Sequence, residues 1–430
     1  MVGQQTPDVL GREVRVLFAT RILRMFAYGL LSVVLVLYLA DIGLSASRIG
    51  ALLTLTLLGD TVISLWMTTS AERVGRRAML TGGALLMLFA GAVFALAPPF
   101  PVLLVAAIVG VISPSGNEVG PFLSIEQAAL SHAVLAERRT GVFAWYNLAG
   151  SFATALGAFA GGGLAQGLQA CGLSSRAGYQ AVVFAYAAVG LLLAVLFARL
   201  APSVEAKSPA NQPSRNTLLG LHQSRAVVFR LSGLFAIDAF AGGFVMQSLM
   251  AYWLHLRFGI DSARLGGIFF GANLLAGISA LTAAKIAARF GLINTMVFTH
   301  IPSNVLLILV PLMPNATLAV VVLLLRFAIS QMDVPTRQSY TMAVVHPDER
   351  SAAAGVTGIA RTIGAGISPV LAGPLLASAS LLNVPFFLAG GLKIIYDLLL
   401  FRSFKGLKTP EEKESASATR GMQPQKSPQV

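Results

Sequence analysis

The chain has 430 residues, of which 56% are hydrophobic and 11% are charged. Soluble domains carry about 25% charged residues, so this composition excludes an ordinary water-soluble protein. The single cysteine, Cys171, excludes a disulfide framework, a CxxC redox pair and a multi-cysteine zinc site. The net charge of +13 comes from basic residues that punctuate apolar segments, whereas a nucleic-acid-binding protein would gather them on one soluble face.

Long apolar runs follow one another and are long enough to cross a hydrocarbon core about 30 Å thick. They predict an all-α polytopic membrane protein with twelve transmembrane helices. The predicted spans cover residues 15–40, 47–70, 78–97, 101–134, 141–167, 178–200, 229–256, 262–289, 291–313, 316–345, 353–380 and 383–403. The first span is too long for a removable signal peptide and should remain in the membrane.

A polar stretch rich in Ser, Pro and Asn separates the sixth span from the seventh and predicts a flexible linker. The domain organisation expected from these features has four parts. They are an N-terminal six-helix bundle (1–200), a cytoplasmic linker (201–228), a C-terminal six-helix bundle (229–403) and a disordered cytoplasmic tail (404–430).

The distribution of Lys and Arg predicts the orientation of the spans. Most basic residues fall in the termini and the even-numbered connections. The odd-numbered connections contain only four, Arg48, Arg176, Arg257 and Arg264. Because cytoplasmic loops collect positive charge, both termini are expected on the cytoplasmic side of a cell membrane, either inner or plasma membrane.

The second half of the chain repeats the first. Three pairs of loop segments match in order: Gly43–Gly50 with Gly259–Gly266 and Arg73–Gly75 with Arg289–Gly291 at an offset of 216 residues, and Glu137-Arg138 with Glu349-Arg350 at an offset of 212. Such a repeat predicts two halves in the same orientation, related by an axis along the membrane normal.

The loop after span 2 reads Ala71-Glu-Arg-Val-Gly-Arg-Arg77. With six plus six spans and a central linker, the chain resembles the major facilitator superfamily of secondary transporters, whose signature there is roughly G-x-x-x-D-R-x-G-R-[RK]. Glu72 stands where the family usually has Asp. The resemblance implies two pseudo-symmetric bundles around a central cavity lined by spans 1, 4, 7 and 10, and a monomer. It also implies that Glu72, Arg73, Gly75 and Arg76 steady one conformation by contact with the opposite half.

Twelve Lys, Arg, Asp and Glu residues lie inside the predicted spans at least six residues from either end, six cations and six carboxylates. Each costs about 2.5–3.5 kcal/mol when it faces lipid at a helix centre, so these residues should pair or line a wet cavity. The cations are Arg21, Arg24, Arg326, Arg337, Arg361 and Lys393, and the carboxylates are Asp60, Glu118, Glu126, Asp238, Asp333 and Asp397. Eight of the twelve fall on the four spans that the resemblance assigns to the cavity.

Depth along the helices predicts one ion-pair network in each half, with the signs reversed between halves. Arg21 and Arg24 share the level of Glu126, and Asp238 shares that of Arg337. Helical spacing also predicts two inward-facing stripes, which consist of Arg21, Arg24 and Tyr28 in span 1 and of Arg326, Ser330, Asp333 and Arg337 in span 10. Each network could also serve only to fix helix packing.

Glu118 has no Arg or Lys at its own predicted depth, which favours it as the proton-coupling carboxylate, ahead of Asp333, Glu126 and Asp238. Tyr28 and Phe122 are the aromatic residues expected to pack on a ligand. The shared depth of Asp60 and Arg361 predicts a cross-half latch that favours the outward-open state, with a static contact as its alternative. Lys393 and Asp397 are spaced i, i+4 and predict a structural pair on span 12.

The leading functional interpretation is proton-coupled secondary transport of a small polar or amphipathic solute by alternating access, with efflux favoured over import. Three alternatives stay open. Arg21, Arg24, Arg326 and Arg337 could receive an anionic metabolite in an importer. A metal-ion exporter is disfavoured because His132, His255, His300 and His346 are placed at helix ends. A transporter-like receptor or lipid flippase would bind without pumping solute. No nucleotide motif, cofactor site or enzymatic constellation is recognised.

Overall fold

The computed structural model describes residues 7–118, 120–134, 136–200, 221–346 and 349–405. The described residues form fifteen α-helices. They are α1 (Pro7–Asp41), α2 (Ala46–Val74), α3 (Arg76–Ala95), α4 (Phe100–Val109), α5 (Phe122–Ala133), α6 (Ala136–Ala170), α7 (Ser175–Ala198), α8 (Arg225–Gly243), α9 (Gln247–Phe258), α10 (Ser262–Phe290), α11 (Leu292–Leu309), α12 (Ala316–Ser330), α13 (Asp333–Val344), α14 (Arg350–Ala377) and α15 (Val384–Phe404). A short 3-10 turn, Val310–Leu312, extends α11.

Eleven helical stretches of the described chain are long and apolar enough to cross a membrane, and the shorter apolar α4 marks the twelfth crossing. The predicted spans are therefore confirmed to within a few residues, with three of them interrupted. The chain crosses twelve times, so α1 begins and α15 ends on the same side, called here the terminal side. The opposite side is called the distal side.

The predicted linker and tail fall largely on residues 201–220 and 406–430, which lie outside the described residues.

Spans 4, 7 and 10 are not continuous helices, contrary to the expectation for each. Span 4 consists of α4 and α5, joined by a non-helical segment over residues 110–121, where Gly116 (φ 71°) and Gly120 (φ 80°) adopt conformations that L side chains rarely take. Span 10 breaks between Ser330 and Asp333 because the ring of Pro335 would clash with the carbonyl of Gln331 in a continuous helix. Span 7 breaks after Gly243.

The internal repeat is confirmed by the backbone. Helices α2 and α10 each have 29 residues and both of their ends are offset by 216 residues. Gly75 (φ 111°) and Gly291 (φ 85°), which follow them, have the positive φ that a tight turn into the next helix requires. The N-caps Ser45 and Asp261 are equivalent as well, since each accepts a hydrogen bond from the backbone of the third residue on.

The two halves meet along two seams, α2 against α14 and α6 against α10. On the distal half of each seam the backbones touch: a Cβ at Gly50 would meet the backbone of Pro369, and one at Gly162 would meet that of Ser262. Toward the terminal side, Gly355 and Gly358 of α14 are exposed and have nothing within 4 Å of a Cβ position. Both seams are thus closed on the distal side, and the α2–α14 seam is open on the terminal side.

Two polar contacts between the discontinuous spans and the opposite half reinforce the distal closure. Gln247, the first residue of α9, donates a hydrogen bond of 2.7 Å to Ser32 Oγ on α1. The backbone N–H of Ser248 donates to the carbonyl of Pro114 at 3.2 Å. The breaks in spans 4 and 7 therefore supply backbone and side-chain groups that fasten the halves together.

Candidate functional site

The centre of the N-terminal half is the Arg24 guanidinium on α1, which is fully buried. Its Nη1 and Nη2 atoms donate to the two carboxylate oxygens of Glu126 at 2.8 and 2.6 Å, and its Nε donates to Glu118 at 2.8 Å. The predicted pairing of Arg24 with Glu126 is confirmed. A bidentate pair of this kind is strong and fixes the orientation of both groups.

Arg21 belongs to the same network. Its Nη1 pairs with Glu118, its Nε donates to the carbonyl of Tyr146 at 3.1 Å, and its guanidinium lies 4.5 Å above the Tyr146 ring. The hydroxyl groups of Tyr146 and Thr20 both donate to Glu126. The sequence analysis did not single out Tyr146, because nothing in its local pattern shows that α6 points it at α5.

The prediction that Glu118 lacks a cationic partner is wrong. Glu118 is paired with both Arg21 and Arg24 and is 14% exposed. The error came from reading span 4 as one helix, because the break over residues 110–121 moves Glu118 off the helical register and toward α1. The coupling proton was assigned to Glu118 because the residue had no cation at its depth, and its contacts with Arg21 and Arg24 remove that reason.

Tyr28 and Phe122 are both fully buried. Tyr28 packs near Tyr186, with ring centroids 6.5 Å apart, and Phe122 stacks on Phe197 at 5.8 Å. Phe122 also lies under the Arg24 guanidinium at 4.6 Å. Contact of these two residues with a ligand stays a prediction.

The C-terminal half has the matching network with its signs reversed, as predicted. Arg337 on α13 donates to Asp238 on α8 at 3.1 Å and to Asp333, one turn away, at 3.0 Å. All three side chains are buried. Here the carboxylate comes from span 7 and the cation from span 10, whereas span 1 of the first half supplies cations and span 4 supplies carboxylates.

The predicted pair of Lys393 with Asp397 is wrong. Lys393 reaches instead to Asp238, with 2.5 Å between Nζ and Oδ1. Asp397 pairs with His300 at 2.9 Å and accepts from Asn304 at 3.1 Å. His300 lies in the middle of α11 and is buried, so its placement at a helix end is also wrong. Residues spaced i, i+4 on one helix can find better partners on neighbouring helices.

Arg326 on α12 is 9% exposed, and its Nε has no hydrogen-bond partner in the described part of the chain. The same holds for Ser330 Oγ, one turn further along α12. Helices α10 and α12 run side by side, since Gly271 lies against Leu324 and Ser279 Oγ accepts from the backbone of Gln331 at 3.4 Å.

That register places Asn273 level with Arg326, on the neighbouring helix, and the Nδ2 atom of Asn273 is also buried without a partner among the described residues. Buried polar groups are nearly always hydrogen-bonded, so three unpartnered ones in one region indicate a place where a ligand supplies the missing partner. All three can donate a hydrogen bond, and one is cationic. We call Asn273, Arg326 and Ser330 the donor cluster.

Asp60 and Arg361 share a level on the α2–α14 seam, as predicted, but the described structure contains no ion pair between them. Asp60 is 5% exposed and accepts only a hydrogen bond of 3.4 Å from Ser64 and one from the backbone of Gly120. The Nε atom of Arg361 has no partner among the described residues. A latch that pairs these two residues in the outward-open state therefore stays a prediction.

In the loop after span 2, Gly75 closes α2 by donating its N–H to Ala71 at 3.0 Å, Arg73 is exposed and Arg76 is buried. The side chain of Glu72 lies outside the described part of the structure. The role of this loop in steadying one conformation therefore stays a prediction.

A family model described as "Major Facilitator Superfamily" matches residues 17–369. An uncharacterized membrane protein of Saccharomyces cerevisiae, YJR124C, is 31% identical over 432 residues, covering 94% of this chain and 96% of the yeast protein. Two solved structures share the fold. A nucleoside transporter, NupG, has a TM-score of 0.74 at 14% identity and covers 91% of this chain and 100% of its own. A D-xylose-proton symporter has a TM-score of 0.73 at 15% identity, with coverages of 93% and 98%.

Proposed function

The chain belongs to the Major Facilitator Superfamily, and we propose that it is a proton-coupled secondary transporter of a small polar solute that carries an anionic group. Membership of the family and the shared transporter fold support an integral membrane protein that moves a small molecule. The substrate class and the coupling are argued from the buried charges of this chain.

The donor cluster is the observation that carries the substrate class. Arg21, Arg24 and Arg337 are each neutralised by carboxylates within their own half, so they have little capacity left for an anion. Arg326 instead has an unpartnered guanidinium nitrogen with a second donor, Asn273, at its level. A carboxylate or similar anion satisfies such donors with charge-assisted hydrogen bonds. This arrangement favours the anionic solute over a cationic or purely apolar one.

The seam geometry supports alternating access. With both termini in the cytoplasm, as the distribution of basic residues predicts, the terminal side is the cytoplasmic side and the described conformation is open to the cytoplasm. Small residues along the distal seam, such as Gly50 and Gly162, allow the close backbone contact that closes the outer side. The two bundles would rock about the level of the charge networks, and we propose that the unit is a monomer in the inner or plasma membrane.

The substrate class can be tested by thermal shift of the purified protein in detergent, using matched pairs of carboxylate and amide such as lactate with lactamide and succinate with succinamide. A ligand that binds only the folded state raises its melting temperature. We expect at least one carboxylate to stabilise the protein and its amide to be inert. Stabilisation by amides and cations, with no response to any carboxylate, would contradict the proposal.

The donor cluster predicts which variants lose the response. Arg326→Gln removes a charge-assisted contact of about 1.5–3 kcal/mol and should weaken binding of the carboxylate about 10- to 100-fold. Arg264→Gln, at an exposed position on the distal side, is the matched control and should bind as the wild type does. Counterflow in proteoliposomes then separates a carrier from a receptor that binds without exchange. Equal affinity of the two variants would exclude the donor cluster from the site.

A further inference from the structure

The twelve charges inside the spans balance over the whole chain but not within each half. The N-terminal half has two cations, Arg21 and Arg24, against three carboxylates. The C-terminal half has four cations against three carboxylates when His300 is neutral. One negative charge is therefore in excess in the first half and one positive charge in the second. Unbalanced charge in a low-dielectric interior is costly, so each half needs a partner from outside itself.

Asp60 is the excess negative charge. Glu118 and Glu126 are neutralised by the two arginines, whereas Asp60 has no cation beside it among the described residues. The groups that face Asp60 from the packed elements are the carboxylate of Glu118 and the hydroxyl groups of Tyr28 and Tyr186. Its hydrogen bonds come from Ser64 and the backbone of Gly120. None of these neighbours compensates a negative charge, so a proton is the simplest partner.

Arg361 is the excess positive charge on the seam. It lies in electrostatic range of Arg337, which repels it, and of Asp238 and Asp333, which are already engaged by Arg337. Tyr396 is the remaining ionisable neighbour. Within the described parts of the chain, the Arg361 guanidinium therefore has no ion pair of its own, and its Nε is unpartnered.

The register of the seam brings these two residues to nearly the same level. Gly50 lies against Gly373, the Thr54 hydroxyl accepts from the backbone of Val370 at 2.9 Å, and Leu58 lies against Gly366. Continued along the two antiparallel helices, this register sets Asp60 within one helical turn of Arg361, about 4.5 Å along the axis. Closing the terminal side of the seam shortens the remaining distance between them.

We propose that Arg361 and a proton compete for Asp60, and that this competition makes the carrier a symporter of one proton with one anionic group. The proposal rests on the proposed function. With the carrier empty, Asp60 and Arg361 pair across the seam and hold the terminal side closed. With the carrier loaded, the proton sits on the Asp60 carboxyl, the solute's anion neutralises the C-terminal half at the donor cluster, and the seam is free to open toward the terminal side.

The partly loaded carriers explain why the two ligands move together. A carrier that holds only the proton has an uncompensated positive charge on Arg361. In a carrier that holds only the anion, the anion competes with Asp60 for the positive charge, and the buried Asp60 carboxylate is left uncompensated. Either state bears a net charge that disfavours reorientation through the membrane.

The proton leaves Asp60 for water on the terminal side, after which the pair with Arg361 re-forms. With the proton gradient directed into the cytoplasm, this scheme predicts uptake, in contrast to the efflux that the sequence favoured.

The switch can be tested without a substrate, in nanodiscs, by the rate at which a water-soluble maleimide labels single cysteines. The background is Cys171→Ser, since Cys171 is exposed. Gly355→Cys reports an open terminal side, because Gly355 is exposed with free space around it. Ser262→Cys reports an open distal side, because Ser262 is buried in the distal seam.

Raising the pH from about 5.5 to about 8.5 should deprotonate Asp60, favour the pair with Arg361, slow labelling of Gly355→Cys about tenfold and speed labelling of Ser262→Cys. Asp60→Asn should leave Gly355→Cys fast at every pH. Asp41→Asn, the same change at an exposed distal position, should keep the wild-type response. A wild-type pH response that survives in Asp60→Asn would overturn the proposal.

Arg361→Gln should also abolish the pH response, and the charge-exchanged double variant Asp60→Arg with Arg361→Asp should restore slow labelling of Gly355→Cys at high pH. Failure of this rescue while the double variant retains the wild-type melting temperature would exclude the pair. The labelling assay uses no solute, so its failure leaves the anionic substrate class standing. Conversely, a thermal-shift panel without a carboxylate response would reject the substrate class and leave the switch intact.

Discussion

At the scale of the residue, the interior of this protein is organised around guanidinium groups that bridge helices. Depth along the predicted spans was sufficient to pair Arg24 with Glu126 and Arg337 with Asp238, because both pairs lie on regular helical segments. The same counting failed for Glu118 and Lys393. The position of Glu118 depends on a break in its helix, and the partner of Lys393 lies on a helix that sequence distance does not reveal.

Arg24 should be the most sensitive of these residues. Arg24→Gln leaves Glu126 buried with only the hydroxyl groups of Tyr146 and Thr20, and loss of one partner from a buried ion pair costs about 3–5 kcal/mol. We expect a large fall in melting temperature in detergent, partly recovered in Arg24→Lys. Arg264→Gln serves as the exposed control. A melting temperature for Arg24→Gln equal to that of the control would show that the network contributes little to stability.

At the scale of the element, the repeat and the breaks define the architecture together. The 216-residue offset predicted from two loop pairs holds at both ends of α2 and α10, because capping residues and turn glycines leave a clear pattern in the sequence. The interruptions of spans 4, 7 and 10 were not predicted. Their apolar composition is continuous, so it predicts unbroken helices. These interruptions are what turn Glu118 and Gln247 toward the other helices.

The distal seam offers a matched pair of glycines for testing its role. A Cβ at Gly162 would collide with the backbone of Ser262 on α10, whereas one at the neighbouring Gly163 meets nothing within 4 Å. Gly162→Val should therefore prevent distal closure and shift the protein toward the terminal-closed state. Labelling of the Gly355→Cys reporter should become several-fold slower in Gly162→Val, as expected when the equilibrium between the terminal-open and terminal-closed states shifts by about 1–2 kcal/mol. In Gly163→Val the labelling rate should remain unchanged. Equal labelling in both would contradict the seam model.

The start of α8 is fastened by Glu349, which precedes α14 and accepts hydrogen bonds from the backbone N–H groups of His222, Gln223 and Ser224. Burial opposes ionisation of this carboxyl, but the hydrogen bonds from Ser224 and from these N–H groups prevail and lower the pKa of Glu349 to about 2. The contact joins the beginning of the second bundle to its span 11.

Because the folded-state pKa of Glu349 is lowered, its contribution to stability is complete above the unfolded pKa of about 4.3 and is lost as the pH falls through the folded value. Glu349→Gln should lower the melting temperature by about 2–4 °C at neutral pH, and the difference from the wild type should shrink as the pH falls below about 4.5. A difference that stays constant from neutral pH down to about pH 2 would argue against the ionised contact.

At the scale of the whole molecule, two halves with opposite excess charge meet at seams that are closed on the distal side, and the α2–α14 seam is open on the terminal side. The sequence was sufficient for the fold, the repeat and the family resemblance, since each depends on local patterns. It was insufficient for the donor cluster and for the isolation of Asp60, because both are defined by partners that are missing rather than by residues that are present. In the mechanism that we propose, the excess charges connect the fold to proton-coupled transport of an anion.

The proposed coupling of one proton to one anionic group is tested most directly by proton movement in proteoliposomes. These contain a pH-sensitive dye and receive the carboxylate that stabilises the protein. The account predicts that the carboxylate enters together with protons and acidifies the lumen, while Arg326→Gln liposomes show no acidification and Arg264→Gln liposomes respond as the wild type does. Alkalinisation of the lumen, or carboxylate uptake with no change in lumenal pH, would contradict the coupling of one proton to one anionic group.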